Sequence, residues 1–145
     1  MFKHFLLPTD GSESSEATIQ QGMQLARSVR AKVTGFYVMP RFHVFTYHTE
    51  MLEDNPEEYA RDCKAHADKF LAVIEKAARD AGVECDTEIA TSDHTYEAII
   101  KAAQDHDCDL IMMASHGRGG VQGLLLGSET QKVLTHSKVP VLVYR

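Results

Sequence analysis

With 145 residues, 43% hydrophobic and 25% charged, the chain is long enough to bury a core and has the makeup of an ordinary soluble globular domain. A formal net charge of -6, with 15 Lys+Arg scattered rather than clustered, argues against general binding to nucleic acid or to acidic membranes. The apolar run in "MFKHFLLPTDG" is cut off by Pro8, too early for a signal segment or a membrane span. The three cysteines, Cys63, Cys85 and Cys108, have neither metal-ligand spacing nor a disulfide pattern, so a cytoplasmic protein is expected.

The elements alternate from end to end. "HFLLP" is a short buried-strand candidate ending at the turn "TDGSE", after which Ile19, Gly22, Met23, Ala26 and Val29 recur at helical spacing. "AKVTGFYVM", rich in β-branched and aromatic residues, is the second strand. The polar break "EDNPEE" precedes a long helix with Tyr59, Cys63, Ala67, Phe70, Ile74 and Ala78 on one face, and Gly82 stands where its C-terminal cap belongs. "VECDTEI" alternates strictly and predicts a half-exposed strand at a sheet edge. A helix over about Tyr96–Asp107 leads to the wholly apolar "LIMMA", a central strand. A last helix up to about His136 leads to the strand "VPVLVY". Five strands alternating with four helices predict an α/β fold, a doubly wound open parallel five-stranded sheet of Rossmann-like type with helices on both faces, as one domain over residues 1–145. Ligands of such sheets bind beyond the carboxyl ends of the strands, where the winding reverses.

After "LIMMA" comes "SHGRGGVQGLLLGSET", with five glycines between Gly117 and Gly127. A P-loop needs Lys after its last glycine, but Ser128 follows Gly127. A dinucleotide fingerprint from Gly117 needs glycine at 122, where Gln122 stands. Ser128 with Gln131 makes a capping-box pattern, so Ser128 is expected to cap the last helix, whose N-terminus would attract an anion. Glycines 117, 119 and 120 can turn main-chain N–H groups inward as a nest, with Arg118 the one fixed positive charge. The same features also serve a plain connection with a well-capped helix.

The spacing Ala114-Ser115-His116-Gly117, nine residues, Gly127-Ser128, with "LLPTDGSESS" at the start and "VLTHSKVPVLVYR" at the end, resembles the universal stress protein family over essentially the whole chain. The resemblance implies a site for ATP, ADP or AMP, with or without Mg²⁺, at the switch point of the sheet. Pro8, Thr9 and Asp10 match the segment that holds adenosine, and Val38 the residue whose backbone meets the adenine edge. Met113, Ala114 and Ser115 would lie along the ribose. Gly117, Arg118, Gly127, Ser128 and Glu129 would cradle the phosphates, mostly through main-chain groups. The motif's first glycine is here Ala114, which is tolerable unless the position needs φ > 0. "SDHTYEAI" lacks the Gly-x-Pro turn often seen in the family.

Other constellations read as structure. In "HDCD" (106–109), Cys108 is expected to pack and Asp107 and Asp109 to be solvated turn residues. "RFHVFTYH" (41–48) is either a lid, a partner surface or a cover for its own domain. Ser115 and His116 are adjacent on a strand end and are not expected to face each other as nucleophile and base. Asp10 and His116 are then the remaining groups that could activate water. The resulting expectation is a cytoplasmic adenine-nucleotide-binding regulator or sensor of stress, with at most slow ATP hydrolysis. It is expected to form a homodimer through the last strand, which lies at the sheet edge in the family. The alternatives are a nucleotide-free dimeric interaction protein and a dedicated enzyme on the same fold.

Overall fold

A computed structural model describes residues 1–41, 56–116 and 126–145. Among these residues, strands β1 (His4–Thr9), β2 (Lys32–Met39), β3 (Cys85–Thr91), β4 (Leu110–Ala114) and β5 (Val141–Tyr144) alternate with helices α1 (Glu13–Val29), α2 (Pro56–Ala81), α3 (Thr95–Asp105) and α4 (Ser128–His136). The strands form one parallel sheet in the order β3-β2-β1-β4-β5, the doubly wound arrangement the alternation predicted. The winding reverses between β1 and β4.

Phe5–Leu7 of β1 and the whole of β4 are apolar because each of their faces meets a helical layer. Phe5, Leu7, Leu110 and Met112 pack with Ile19, Met23 and Ala26 of α1 and with Leu71, Ile74 and Ala78 of α2. Leu6, Ile111 and Met113 point the other way, onto Ile99, Ala102 and Ala103 of α3 and Val133 of α4. On α2 the buried set is Ala67, Leu71, Ile74, Ala77 and Ala78; Tyr59, Cys63 and Phe70 are half-buried. β3 lies at one edge, as its alternation predicted. It starts at Cys85 rather than Val83 because the Val83 N–H is spent on Ala78 O, closing α2.

Three helices close with the same paired bonds around a left-handed residue. Arg30 (φ 57) and Ala31 donate to Arg27 O and Ala26 O. Gly82 (φ 69) and Val83 donate to Arg79 O and Ala78 O, and Asp107 (φ 52) and Cys108 to Gln104 O and Ala103 O. The left-handed Asp107 ends α3 at Asp105, two residues before the sequence suggested. Cys108 is buried, as expected, and burial pushes its thiol up to about 11. Asp109 is not a solvated turn residue: its two carboxylate oxygens accept from the main-chain N–H groups of Lys3 (2.7 Å) and His4 (3.0 Å) and pin the start of β1 to the α3–β4 turn.

His4 is buried at the head of β1, its Nε2 2.7 Å from Thr34 Oγ1. Burial lowers its pKa from the ordinary 6.5, helped by the charge of Lys32; the His106 main chain and Asp109 pull the other way. Below pH about 6.5 the unfolded chain takes up a proton that the folded chain resists, so His4 removes stability as pH falls. Denaturation between pH 7 and pH 5 is expected to show a shallower loss of stability in His4→Gln than in the wild type. Equal slopes would show that His4 is not the proton sensor.

Candidate functional site

The β1–β2 ladder runs out to Thr9–Tyr37 and the β4–β5 ladder to Ala114–Tyr144, but β1 and β4 pair only at Phe5–Leu110 and Leu6–Ile111. The two central strands therefore unpair toward their carboxyl ends, where the reversal of winding opens a crevice. Pro8 and Thr9 end β1 with Asp10 just past it, Val38 lies near the end of β2, and Met113 and Ala114 end β4 with Ser115 just past it. Gly127, Ser128 and Glu129 start α4, on the same end of the sheet. Gly117 and Arg118, the other glycines up to 123, and the aromatic connection from residue 42 lie outside the described residues.

The β1–α1 turn is fixed by its own polar groups. Gly11 donates its N–H to Thr9 Oγ1 (3.1 Å), and Asp10 Oδ1 accepts from Ser12 N (2.9 Å) and Ser15 Oγ (2.8 Å). Ser12 caps α1, its hydroxyl accepting from Ser15 N at 3.1 Å. Gly11 has φ 77, and a Cβ there would sit 2.4 Å from the Phe70 ring, so both conformation and space demand glycine. Ser12 and Ser15 were not singled out from the sequence, although a serine ahead of Glu13 and Glu16 is an N-cap signal.

At the end of β4 the chain is latched to α4. Ser115 N donates to Tyr144 O (2.9 Å), Gly127 N to Ser115 O (2.6 Å), and the buried Thr130 hydroxyl to Ala114 O (2.9 Å). This latch moves the helix start. Gly127, not Ser128, is the N-cap: its C=O accepts from Gln131 N at 3.0 Å, and among the described residues no side chain caps the helix. The expected capping box of Ser128 and Gln131 is thus not formed, because Ser115 holds Gly127 in the capping position one residue earlier. Ser128, Glu129 and Thr130 become the first turn, whose N–H groups have no acceptor within the helix. Ser128→Ala is accordingly expected to change stability by no more than about 0.5 kcal/mol, read by urea denaturation, instead of the roughly 1 kcal/mol that a lost cap costs.

The Glu129 carboxylate accepts from Tyr96 N (2.9 Å) and pairs with Lys132 (3.2 Å), so it caps α3, which His94 leaves without a side-chain cap. Its negative charge is turned toward α3, leaving its main-chain N–H for a ligand. α1 also begins at this end of the sheet, but its first turn carries Glu13 and Glu16 and is capped by Ser12, which makes α4 the more receptive to an anion. Ala114 is a buried β4 residue and is not among the non-glycine residues of positive φ. The methyl group it carries in place of the family glycine costs no backbone strain.

Ser115 and His116 do face each other: Ser115 Oγ lies 3.0 Å from His116 Nδ1. The expectation that they would not assumed strand geometry, but the chain bends at Ser115 and the alternation of faces ends there. Asp10, the other group that could activate water, is held by Ser12 N and Ser15 Oγ. Among the described residues, no group of three or more His, Cys, Asp or Glu side chains is placed to hold a metal ion.

Fold and crevice together define a doubly wound α/β protein with an anion-receptive helix N-terminus latched at its switch point. The model of the universal stress protein family matches residues 1–145. A universal stress protein of Thermus aquaticus is 31% identical over 148 residues, covering 100% of each chain. Universal stress protein MJ0577 of Methanocaldococcus jannaschii is 28% identical over 156 residues, 100% of this chain and 96% of its own. The solved structure of MJ0577 superposes with a TM-score of 0.82 over 99% of this chain and 95% of that one. This chain belongs to the universal stress protein family. Two more distant structures of the same fold are a universal stress protein in complex with cAMP (21% identity, TM-score 0.73, 99% of this chain and 97% of that one) and one from Archaeoglobus fulgidus in complex with dAMP (16%, 0.70, 100% and 98%).

Proposed function

We propose that this protein binds an adenine nucleotide, ATP foremost, in the crevice between β1 and β4, and that occupancy regulates its assembly or surface as a cytoplasmic stress-response regulator. The observation that carries the reading is the α4 N-terminus, latched over the end of β4 by the Gly127–Ser115 and Thr130–Ala114 bonds. It presents free first-turn N–H groups and a positive dipole end where phosphates of a ligand along β4 would lie. Complexes of two family members with cAMP and dAMP support an adenine-type ligand. Thr9 and Asp10 would hold the adenosine, Val38 would meet the base through its backbone, and Met113, Ala114 and Ser115 would follow the ribose. Gly127, Ser128 and Glu129, with Gly117 and Arg118, would take the phosphates.

Hydrolysis would be slow. Asp10 is already the acceptor of two hydrogen bonds, and among the described residues His116 has Ser115 as its hydrogen-bond partner and no carboxylate to orient it. The three cysteines are free thiols, in keeping with a reducing compartment. Among the described residues no helix is long and apolar enough to cross a membrane. The test is to denature freshly purified protein and identify any released nucleotide by absorbance and mass, then to titrate stripped protein with ATP, ADP and AMP by calorimetry. Neither release nor binding at millimolar nucleotide would overturn the reading, and turnover with Mg²⁺ at ordinary enzymatic rates would overturn its non-enzymatic part.

A further inference from the structure

The opposite end of the sheet carries a second concavity, of about 430 Å³, between the C-terminal turns of α1 and α2 and the first residues of β1 and β2. Lys3, Arg27, Arg30 and Lys32 line it, against one carboxylate, Glu84. Among the described residues, none of the four cations is in an ion pair. In a chain of net charge -6 this is an excess of three positive charges among the lining residues, reduced to two when the Asp109 carboxylate on the Lys3 N–H is counted. Two helix C-termini point here, and each offsets only about half a unit charge. The excess therefore exceeds what complementing the helix dipoles requires.

The cations are held on a fixed frame. Lys32 N donates to Lys3 O (3.0 Å), and Lys3 N to Asp109. Arg30 occupies the left-handed position that closes α1, with Arg27 the acceptor of its N–H at 3.2 Å. We propose that this concavity is a second ligand site, which takes a small anion bearing several phosphate groups. Its size suits a small molecule. Two arginines and two lysines lining one hollow offer guanidinium forks and ammonium groups that suit clustered phosphate oxygens better than a single carboxylate. β1 separates this site from the nucleotide crevice by roughly 20 Å, so the two would fill independently.

Calorimetry with inorganic tripolyphosphate at near-physiological salt tests the proposal. Wild type is expected to bind, and the double variant Arg27→Gln with Arg30→Asn to bind at least about tenfold more weakly, with its ATP affinity unchanged. Asparagine is chosen at 30 because it tolerates the left-handed conformation. Lys3→Gln keeps its main-chain bond to Asp109 and serves as a second variant should the double one melt early; several-fold weaker binding is expected of it. Because the nucleotide crevice can also take the probe, Gly127→Val, which blocks that crevice, should keep the share of tripolyphosphate binding that the double variant loses. No binding by the wild type at millimolar tripolyphosphate, equal binding by the folded variants, or loss of binding in Gly127→Val would each overturn the proposal.

Discussion

Gly127→Val is expected to abolish adenine-nucleotide binding and to leave the fold in place. Gly127 sits at φ -58 and ψ 148, a region open to every L-residue, so valine brings no backbone strain there. Its N–H bond to Ser115 O and its C=O bond from Gln131 N are main-chain bonds that survive the change. Loss of glycine as N-cap costs on the order of 1 kcal/mol, too little to unfold a domain. The branched side chain would stand ahead of the free N–H groups of Ser128, Glu129 and Thr130, where phosphate oxygens would otherwise lie. Losing those contacts is expected to weaken ATP by at least about a hundredfold, some 2.7 kcal/mol. Calorimetry reads the affinity and circular dichroism the fold; affinity kept within about a factor of two in a folded variant would remove Gly127 from the site. Gly11 makes the contrast. There the positive φ and the Phe70 ring both oppose a side chain, so substitution breaks the turn itself.

The order of strands and helices was legible because the apolar runs of β1 and β4 and the spacing of α1 carry their own periodicity. The sites of the turns were legible as well, from Gly82 and the "TDGSE" stretch. What the sequence hid depends on contacts between distant segments. The start of α4 is decided by Ser115, twelve residues upstream of Gly127, which no local capping pattern can register. The family resemblance sets Glu129 among the residues around the phosphates and says nothing of its side chain, whose carboxylate caps α3 at Tyr96. Asp109 reads as a turn residue and is instead the anchor for Lys3 and His4, more than a hundred positions away. Arg30 and Asp107 end helices where glycine would be sought, since the following strand forces the left-handed turn whatever residue stands there.

Dimerisation through β5, with the nucleotide crevice coupled to it, is the second large effect expected. β5 is an edge strand of four residues without a charge, and Leu142 is 40% exposed on it. Such an edge invites a partner. Pro140 O accepts from Ile111 N of β4, and Tyr144 O from Ser115 N just past its end. By the alternation of the ladder, Val141 and Val143 turn their N–H and C=O groups to the open side. Pairing with β5 of a second copy about a two-fold axis would close both edges at once. About four main-chain bonds at a net 1 kcal/mol each fall short of the roughly 8 kcal/mol of a micromolar dimer, so burial of apolar side chains such as Leu142 must supply the rest. Val143→Pro removes an outward N–H and Leu142→Lys the apolar contact. Each is expected to turn a dimer seen by sedimentation at tens of micromolar into a monomer. Ser115 then joins the two events, its N–H on Tyr144 of β5 and its C=O on Gly127 of α4. If filling both crevices tightens the dimer by some factor, dimerisation must tighten nucleotide binding by the same factor taken over the two sites together. The monomeric variants should then bind ATP more weakly at each site by the square root of the ratio by which ATP changes the wild-type dimer constant, since each dimer holds two sites. A wild type that sediments as a monomer at these concentrations, with or without ATP, would sink both the dimer and the coupling.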